Sequence, residues 1–259
     1  MHSLTKDTKG VDFALRRINP YKMLKVHLIW LHTNKCVKHG RPYSEHPSCM
    51  FDDMDAGLIK PPHEEKVACF DIEACKEFAN WGYIIAYAIK PMGKKPILRK
   101  IKSSNMRNGT FDKDMMMQLC KDIREYDRVV VYWGKDQRWD IPYVRTRTLY
   151  WKQKAIQAGR IKEAELLQFP EYMEMFVYDL YDPVKAKLKM SRKGLGYVSR
   201  YFGIPAKETW LDSDTMNNAM LGKKVAIDRI GKHCTEDVQT TEDLYKLLHV
   251  YTRQGRTSL

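Results

Sequence analysis

The chain lacks the long apolar runs, internal repeats and low-complexity tracts that mark several classes of protein. No apolar run approaches the roughly 18–20 residues of a membrane-spanning helix, which argues against such a span. The first ten residues are polar and have no apolar stretch typical of a secretory signal. The six cysteines are scattered and do not suggest a secreted disulfide scaffold, so we expect a protein of the reducing cytoplasm.

Positive charge, in contrast, is abundant. Lysine and arginine number 45 against 32 aspartates and glutamates, which gives a formal net charge of +13 at pH 7. This excess favours a polyanionic partner, with nucleic acid as the first candidate, although a protein that is merely basic has the same composition. Hydrophobic residues make up 44% of the chain, enough for an ordinary buried core.

Five segments have the apolar, β-branched or aromatic character of strands. The first three follow one another closely, which predicts an antiparallel meander, and the last two alternate with helical patterns, which predicts parallel crossovers. The expected fold is α/β, with a mixed five-stranded sheet flanked by helices. The predicted strands are 67–72, 81–90, 96–101, 128–133 and 176–180. The predicted helices are one capped by Thr110 and running to Ile123, 141–168, 191–202, 213–222 and 224–250.

Residues 1–64 form a polar, histidine-rich segment that we separate from a domain at 65–259. Within it, Cys36 and His39 form one pair and His46 and Cys49 another, in the pattern C-x2-H-x6-H-x2-C. Four such ligands suit tetrahedral zinc, and because the protein would supply all four, the ion would be structural. We therefore expect a small zinc knuckle over 36–49. A histidine-rich loop without metal is the alternative.

Two carboxylates, Asp71 and Glu73, end the first predicted strand. Residues two apart in a strand point to the same side, so these carboxylates would stand together and repel unless a cation neutralised them. Hard divalent ions such as Mg²⁺ or Mn²⁺ prefer such oxygen ligands. A surface acidic pair is the other reading of this short pattern.

Further acids follow at sites that suit the same chemistry. Asp140 comes after strand 128–133 at the start of a helix, where a plain N-cap is the alternative. His233 and Asp237 lie four apart on one helix face, a spacing that a solvated pair would also show. Together with Asp71 and Glu73, Asp140 and Asp237 could hold two metal ions that activate water and stabilise a phosphodiester leaving oxygen. His233 could then act as general base.

These motifs, in this order, resemble the DEDD, or DnaQ-like, 3′→5′ exonuclease superfamily, whose fold is ribonuclease H-like. The resemblance runs from about Val67 to the C-terminus and rests on the segments 70–73, 128–147 and 233–245. It implies a metal-dependent exonuclease with Asp71, Glu73, Asp140 and Asp237 as ligands of two Mg²⁺ or Mn²⁺ ions. One departure is that His233 precedes Asp237 by four residues, the spacing of the tyrosine subgroup, where the histidine subgroup has five.

An exonuclease must also hold a single-stranded end through cations and flat side chains. The candidates are Trp133, Tyr143, Arg147 and Lys193, for which a solvated basic face is the alternative. Asp179 is a spare acid that could support or replace a ligand. The expected substrate is single-stranded nucleic acid, with DNA favoured over RNA although no reader of the 2′-hydroxyl is identifiable. The competing functions are an endonuclease or RNA-processing nuclease on this fold, and a nucleic-acid-binding module without activity.

Overall fold

The structure, a computed structural model, describes residues 25–59, 65–136, 138–171, 174–205 and 209–249. Within them the chain forms two compact units. The first contains the described residues up to Glu65 together with residues 171 and 174–176, and the second contains the described residues of 66–170 and those from Val177 onward. None of the helices in these ranges combines the length and the apolar character that a membrane crossing requires.

The first unit contains two short helices on either side of a chain reversal. Helix α1 (Lys25–Thr33) leads into the reversal, and helix α2 (Pro47–Asp55) follows it. An antiparallel bridge between Lys35 and Pro42 closes the turn. The apolar residues of the unit meet in a small core, so the segment that carries the cysteine and histidine pairs has packing of its own. This core consists of Leu31, Cys36, Tyr43 and Met50.

The second unit is built on the mixed five-stranded sheet that the sequence predicts, in the order β3-β2-β1-β4-β5. The first three strands form the antiparallel meander, and β4 pairs in parallel with β1. This topology confirms the predicted fold class. The strands are β1 (Val67–Ala74), β2 (Ile84–Pro91), β3 (Ile97–Lys100), β4 (Arg128–Val131) and β5 (Phe176–Asp179).

The predicted helices match the observed ones less closely than the predicted strands do. The predicted helix 141–168 is two helices, because Gly159, with a φ of +67°, ends the first of them. Thr110 does not cap its helix, which begins only after Asp112. Position 250 of the predicted last helix lies outside the described residues. The helices are α3 (Ser103–Arg107), α4 (Lys113–Ile123), α5 (Asp140–Gln157), α6 (Ile161–Leu166), α7 (Tyr181–Lys187), α8 (Leu195–Tyr201), α9 (Ser213–Met220) and α10 (Lys224–Leu248).

Helices cover both faces of the sheet. Ala86 and Ala88 of β2 pack in the same buried cluster as the apolar stripe of α10. Tyr87, between them, points to the opposite face, where its hydroxyl donates to Asp122 of α4 at 2.9 Å. The central strands are therefore buried on both sides, which explains why β2 is an almost continuous apolar run. The long helix α10 packs on one face of the sheet, and the side chains of alternate β1 residues point toward that face.

Candidate active site

Strand β1 supplies the first two carboxylates. Asp71 stands opposite Ala88 of β2, and Glu73 stands opposite Ala86. Because both alanines face α10, the two carboxylates emerge on the α10 side as well. The thiol of Cys234, on α10, lies 3.4 Å from the main-chain oxygen of Asp71, which shows how closely the helix approaches the strand here. The same-side placement predicted from the spacing is thus present.

Asp140 is the first residue of α5 and comes to the same strand end. The main-chain N–H of Ile72, between the two β1 carboxylates, donates to Asp140 Oδ1 at 3.3 Å. Room for this carboxylate exists only because residue 134 is glycine: a Cβ there would lie 2.0 Å from Asp140 Oδ2. The main-chain oxygen of Gly134 also accepts the N–H of Ile141 at 2.9 Å, which fixes the helix start.

The loop that leads to Asp140 is held by Asp179, at the end of β5. Its buried carboxylate accepts the main-chain N–H groups of Trp133 at 2.8 Å, Lys135 at 3.0 Å and Tyr181 at 2.9 Å, and it forms an ion pair with Arg138. Asp179 is therefore occupied by the protein, so it supports the site and does not replace a ligand. Trp133 takes a left-handed conformation, with φ of 63°, which costs energy for a non-glycine residue and is held by these bonds.

Helix α10 supplies the last members of the cluster. His233 and Asp237 are both 8% exposed. The His233 Nε2 atom lies 3.5 Å from Asp237 Oδ2 and 3.6 Å from Glu73 Oε1. One ligand atom from each of these three residues falls within 4.8 Å of the other two, so they form a group that could hold a metal ion. The predicted residues of β1, α5 and α10 thus meet at one edge of the sheet.

The electrostatics of this cluster favour the binding of a cation. Burial raises the pKa of Asp140 to about 8, with the charges of Asp179 and Asp237 adding to the effect. Burial also raises the pKa of Asp71 well above its ordinary value, and the carboxylates of Asp140, Asp237 and Glu73 raise it further. Both shifts arise because several anions share one poorly solvated site. A divalent cation between them would remove the repulsion that opposes ionisation.

The donor set fits such an ion. Asp71 Oδ2 is buried and accepts no hydrogen bond from any described residue. A buried carboxylate oxygen without a donor is costly, and a metal ion is one partner that would satisfy it. Oxygen ligands from Asp71, Glu73, Asp140 and Asp237 suit Mg²⁺ or Mn²⁺.

A second group of metal-ligand residues lies in the first unit. The Nδ1 atom of His39 is 3.5 Å from Cys36 Sγ and 3.4 Å from Cys49 Sγ, and these three residues could hold a metal ion. His46 is not in that group of three, but its ring stacks on that of His39 with centroids 5.1 Å apart.

Three of the four residues expected to bind substrate border a cavity or the protein surface, and the fourth, Arg147, is buried. Trp133, 49% exposed, and Tyr143 line one cavity of about 360 Å³, together with Phe78, Arg138 and Trp139. Lys193 is half-buried, and its main-chain oxygen accepts the hydroxyl of Tyr132 beside Trp133.

Arg147 does not fit the expectation that it contacts substrate. The side chain is buried, and its guanidinium donates to both oxygens of Asp112, at 2.6 and 2.9 Å. Trp151 Nε1 donates to the same carboxylate at 2.7 Å, so Asp112 and Arg147 form a saturated internal pair. In this pair each charge neutralises the other, because either one alone would be a buried charge without a counter-charge.

Comparison with known proteins agrees with this architecture. Residues 68–249 match the family model RNase_H_2, described as the RNase_H superfamily, and the chain belongs to that superfamily. No curated protein matches the chain. Among solved structures, it is similar to the family B DNA polymerase from the hyperthermophilic archaeon Pyrobaculum calidifontis, with a TM-score of 0.54 and 20% identity over 73% of this chain. The match spans 25% of the polymerase chain, so the likeness concerns the fold alone.

Membership of the superfamily supports nuclease activity in general and a nucleic acid as substrate. The sequence pointed to the carboxylates and to Asp179 as a spare acid beside them, but not to Thr209, whose main-chain oxygen contacts His233. This contact is distant in sequence, so no local pattern distinguishes Thr209. Gly134 could have been identified from the local sequence, since it directly follows the aromatic end of a buried strand.

Proposed function

We propose that this protein is a metal-dependent 3′→5′ exonuclease that hydrolyses phosphodiester bonds of single-stranded nucleic acid, with DNA favoured over RNA. The observation that carries the proposal is the convergence of four carboxylates from three elements on one buried point, where Asp71 Oδ2 accepts no hydrogen bond from any described residue. Asp71, Glu73, Asp140 and Asp237 would hold two Mg²⁺ or Mn²⁺ ions. When bound, such ions supply a nucleophilic water at neutral pH and neutralise charge on the leaving oxygen.

The chain's own residues support a single-stranded substrate. Trp133 and Phe78 are 49% and 63% exposed at the cavity that is also lined by Trp139, the residue before Asp140, and they offer flat faces on which bases can stack. The left-handed backbone of Trp133 directs this large side chain outward at a cost in energy, which is typical of a functional position. Tyr143 forms part of the wall of the same cavity.

The candidate cation for a substrate phosphate is Lys193. Lys193 uses its ammonium to donate to the main-chain oxygen of Met190 at 3.3 Å, and a lysine has two further donors for a phosphate oxygen. Its neighbours in the stretch 185–193 add positive charge. Arg147 is not included, because Asp112 already neutralises it.

The cysteine and histidine residues of the first unit would hold a structural zinc ion. Cys36, His39 and Cys49 supply three ligands, and we assign the fourth to His46, which completes the pattern C-x2-H-x6-H-x2-C. With four protein ligands, the ion would have no open position for water, so it would stabilise the knuckle and not take part in hydrolysis.

The test is a degradation assay on end-labelled single-stranded DNA and RNA with Mg²⁺ or Mn²⁺. We expect a ladder that shortens from the 3′ end, lost in Asp71→Ala and in Asp237→Ala. Asp243→Ala is the matched control, since Asp243 lies on the same helix and accepts a hydrogen bond from Gln239 at 3.0 Å. Cleavage of a circular substrate would support an endonuclease instead, and no cleavage with either metal would leave the binding module.

A further inference from the structure

The ring of His233 is oriented by a backbone contact on the side away from the carboxylates. Its Nδ1 atom lies 2.8 Å from the main-chain oxygen of Thr209. A carbonyl oxygen can only accept, so Nδ1 carries the proton and donates it. Thr209 is itself held in place, because its main-chain N–H donates to Glu236 Oε2 at 2.9 Å. In the neutral ring, Nε2 therefore holds the lone pair.

That lone pair is directed at two carboxylates. His233 Nε2 lies 3.6 Å from Glu73 Oε1 and 3.5 Å from Asp237 Oδ2. These separations exceed the roughly 2.7–3.2 Å of an N–H···O hydrogen bond. They match two ligand atoms of a single ion, since bonds of roughly 2.0–2.2 Å at a tetrahedral angle place ligands about 3.4 Å apart. The spacing suits a shared metal ion better than a shared proton.

The helix geometry explains why both α10 residues reach one point. Residues four apart differ by only about 40° around an α-helix and stack one turn above the other. His233 and Asp237 therefore project from the same face toward Glu73 on β1. A histidine whose far nitrogen donates to a backbone carbonyl is also the usual arrangement of an imidazole that binds a metal, because the bond fixes the tautomer and orients the ring.

We infer that His233 Nε2 is itself a metal ligand, sharing one ion with Glu73 and Asp237, and that this position prefers a first-row transition metal ion to Mg²⁺. The preference follows from the donor set, because imidazole suits transition metals whereas an all-oxygen set suits Mg²⁺. Asp71 and Asp140 offer only oxygen to the neighbouring position. The inference rests on the proposed function in that it needs a divalent ion at the carboxylates. It replaces the general-base role that the sequence suggested, because a coordinated Nε2 cannot accept a proton.

The test uses Mn²⁺ as the probe and the full-length protein labelled with ¹⁵N-histidine. Electron spin-echo spectroscopy should show coupling of Mn²⁺ to a histidine nitrogen, and His233→Gln should abolish it. The same variant should weaken Mn²⁺ binding by about tenfold or more and leave Mg²⁺ binding unchanged. His249→Gln is the matched control: His249 directly follows the last residue of α10, and its Nδ1, like that of His233, donates to a backbone carbonyl, that of Lys246 at 2.9 Å.

If His233→Gln does not fold, Glu73→Gln reports on the same ion and should also remove the nitrogen coupling. Bound Mn²⁺ without histidine coupling in the wild type would overturn the inference, as would coupling that persists in His233→Gln. Unchanged Mn²⁺ affinity in His233→Gln with lost cleavage would return the residue to the general-base role. These results are separate from the cleavage assay, since coupling without any cleavage would retain the ligand and reject the exonuclease.

Discussion

The two candidate metal sites differ in their donors and in how much of the chain each one needs. The cysteine and histidine ligands come from one short segment, 36–49, whereas the carboxylates come from β1, α5 and α10. The second unit has a large core of its own and does not need a metal ion to collapse. Within residues 25–59 of the first unit, the core holds four buried side chains, and small domains with so small a core commonly use a metal ion or a disulfide as a cross-link. A metal would therefore stabilise the fold at one site and serve chemistry at the other.

The donors also separate the two sites by metal type. Thiolate and imidazole at Cys36, His39 and Cys49 select zinc or similar ions, whereas the carboxylates favour harder cations. A single change at either site should then affect one property and leave the other intact. The following predictions test that independence.

The largest expected effect is on the first unit. Replacing Cys49 by serine should remove the zinc and unfold residues 25–59, because structural zinc contributes roughly 10 kcal/mol or more in small zinc-dependent folds. Zinc content and hydrogen exchange of that segment would measure the change. Cys120→Ser, in the second unit beside Thr148, is the control and should keep the zinc. Full zinc content in Cys49→Ser would contradict the assignment.

The next effect should fall on cleavage alone. Asp140→Asn should lower the cleavage rate by about a thousandfold, since a metal ligand supplies several kcal/mol of transition-state stabilisation. The zinc content should stay at the wild-type value, because no ligand is shared. Asp136→Asn, in the same loop but exposed, is the control for the cleavage rate. Simultaneous loss of zinc and activity in Asp140→Asn would show that the sites are coupled.

A smaller effect is expected from the glycines beside the two sites. Gly134→Ala should force Asp140 Oδ2 from its place, and a displacement of about 1 Å can cost about a hundredfold in rate. Gly40, in the first unit, has open space but a φ of +68°, so Gly40→Ala should weaken the knuckle through strain and leave the rate intact. Steady-state rates and zinc content distinguish the two. Gly196→Ala, with nothing within 4 Å of its Cβ, should change neither.

The smallest effect is the dependence of stability on pH. The folded pKa of Asp140, about 8, lies above the roughly 3.9 of an unfolded aspartate, so the folded state binds the proton more tightly. Without Mg²⁺, stability should be full near pH 4 and fall as pH rises toward 8. The Tm gained on adding Mg²⁺ should therefore be a few degrees larger at pH 8 than at pH 5.

Thermal melts of Cys49→Ser, in which zinc cannot contribute, would measure this difference, and Asp140→Asn in that background should reduce it. A gain in Tm that is independent of pH would show that the acids do not titrate in this range. The same melts also report whether the second unit folds without metal, as its core suggests.

Much of the fold of the second unit could be predicted from the sequence. The strands followed from apolar runs and β-branched residues, and the direction of each crossover followed from what lay between them. Strand and helix periods place Asp71 with Glu73 and His233 with Asp237, and Asp140 could be proposed because it follows a buried strand at the start of a helix. Arg147 could not be assigned correctly, since only the fold shows that Asp112 lies beside it. The break of the predicted helix 141–168 at Gly159 was likewise missed, because a single glycine is tolerated in a helix.

The placement of Asp237 on α10 has a consequence for the newly made protein. Strand β1, which carries Asp71 and Glu73, leaves the ribosome more than a hundred residues before this helix does. A nascent chain can form its sheet early, but it cannot assemble the complete set of acids until residue 237 has been translated and α10 has docked. The candidate site can therefore take up its metal ions only after almost the whole domain has left the ribosome.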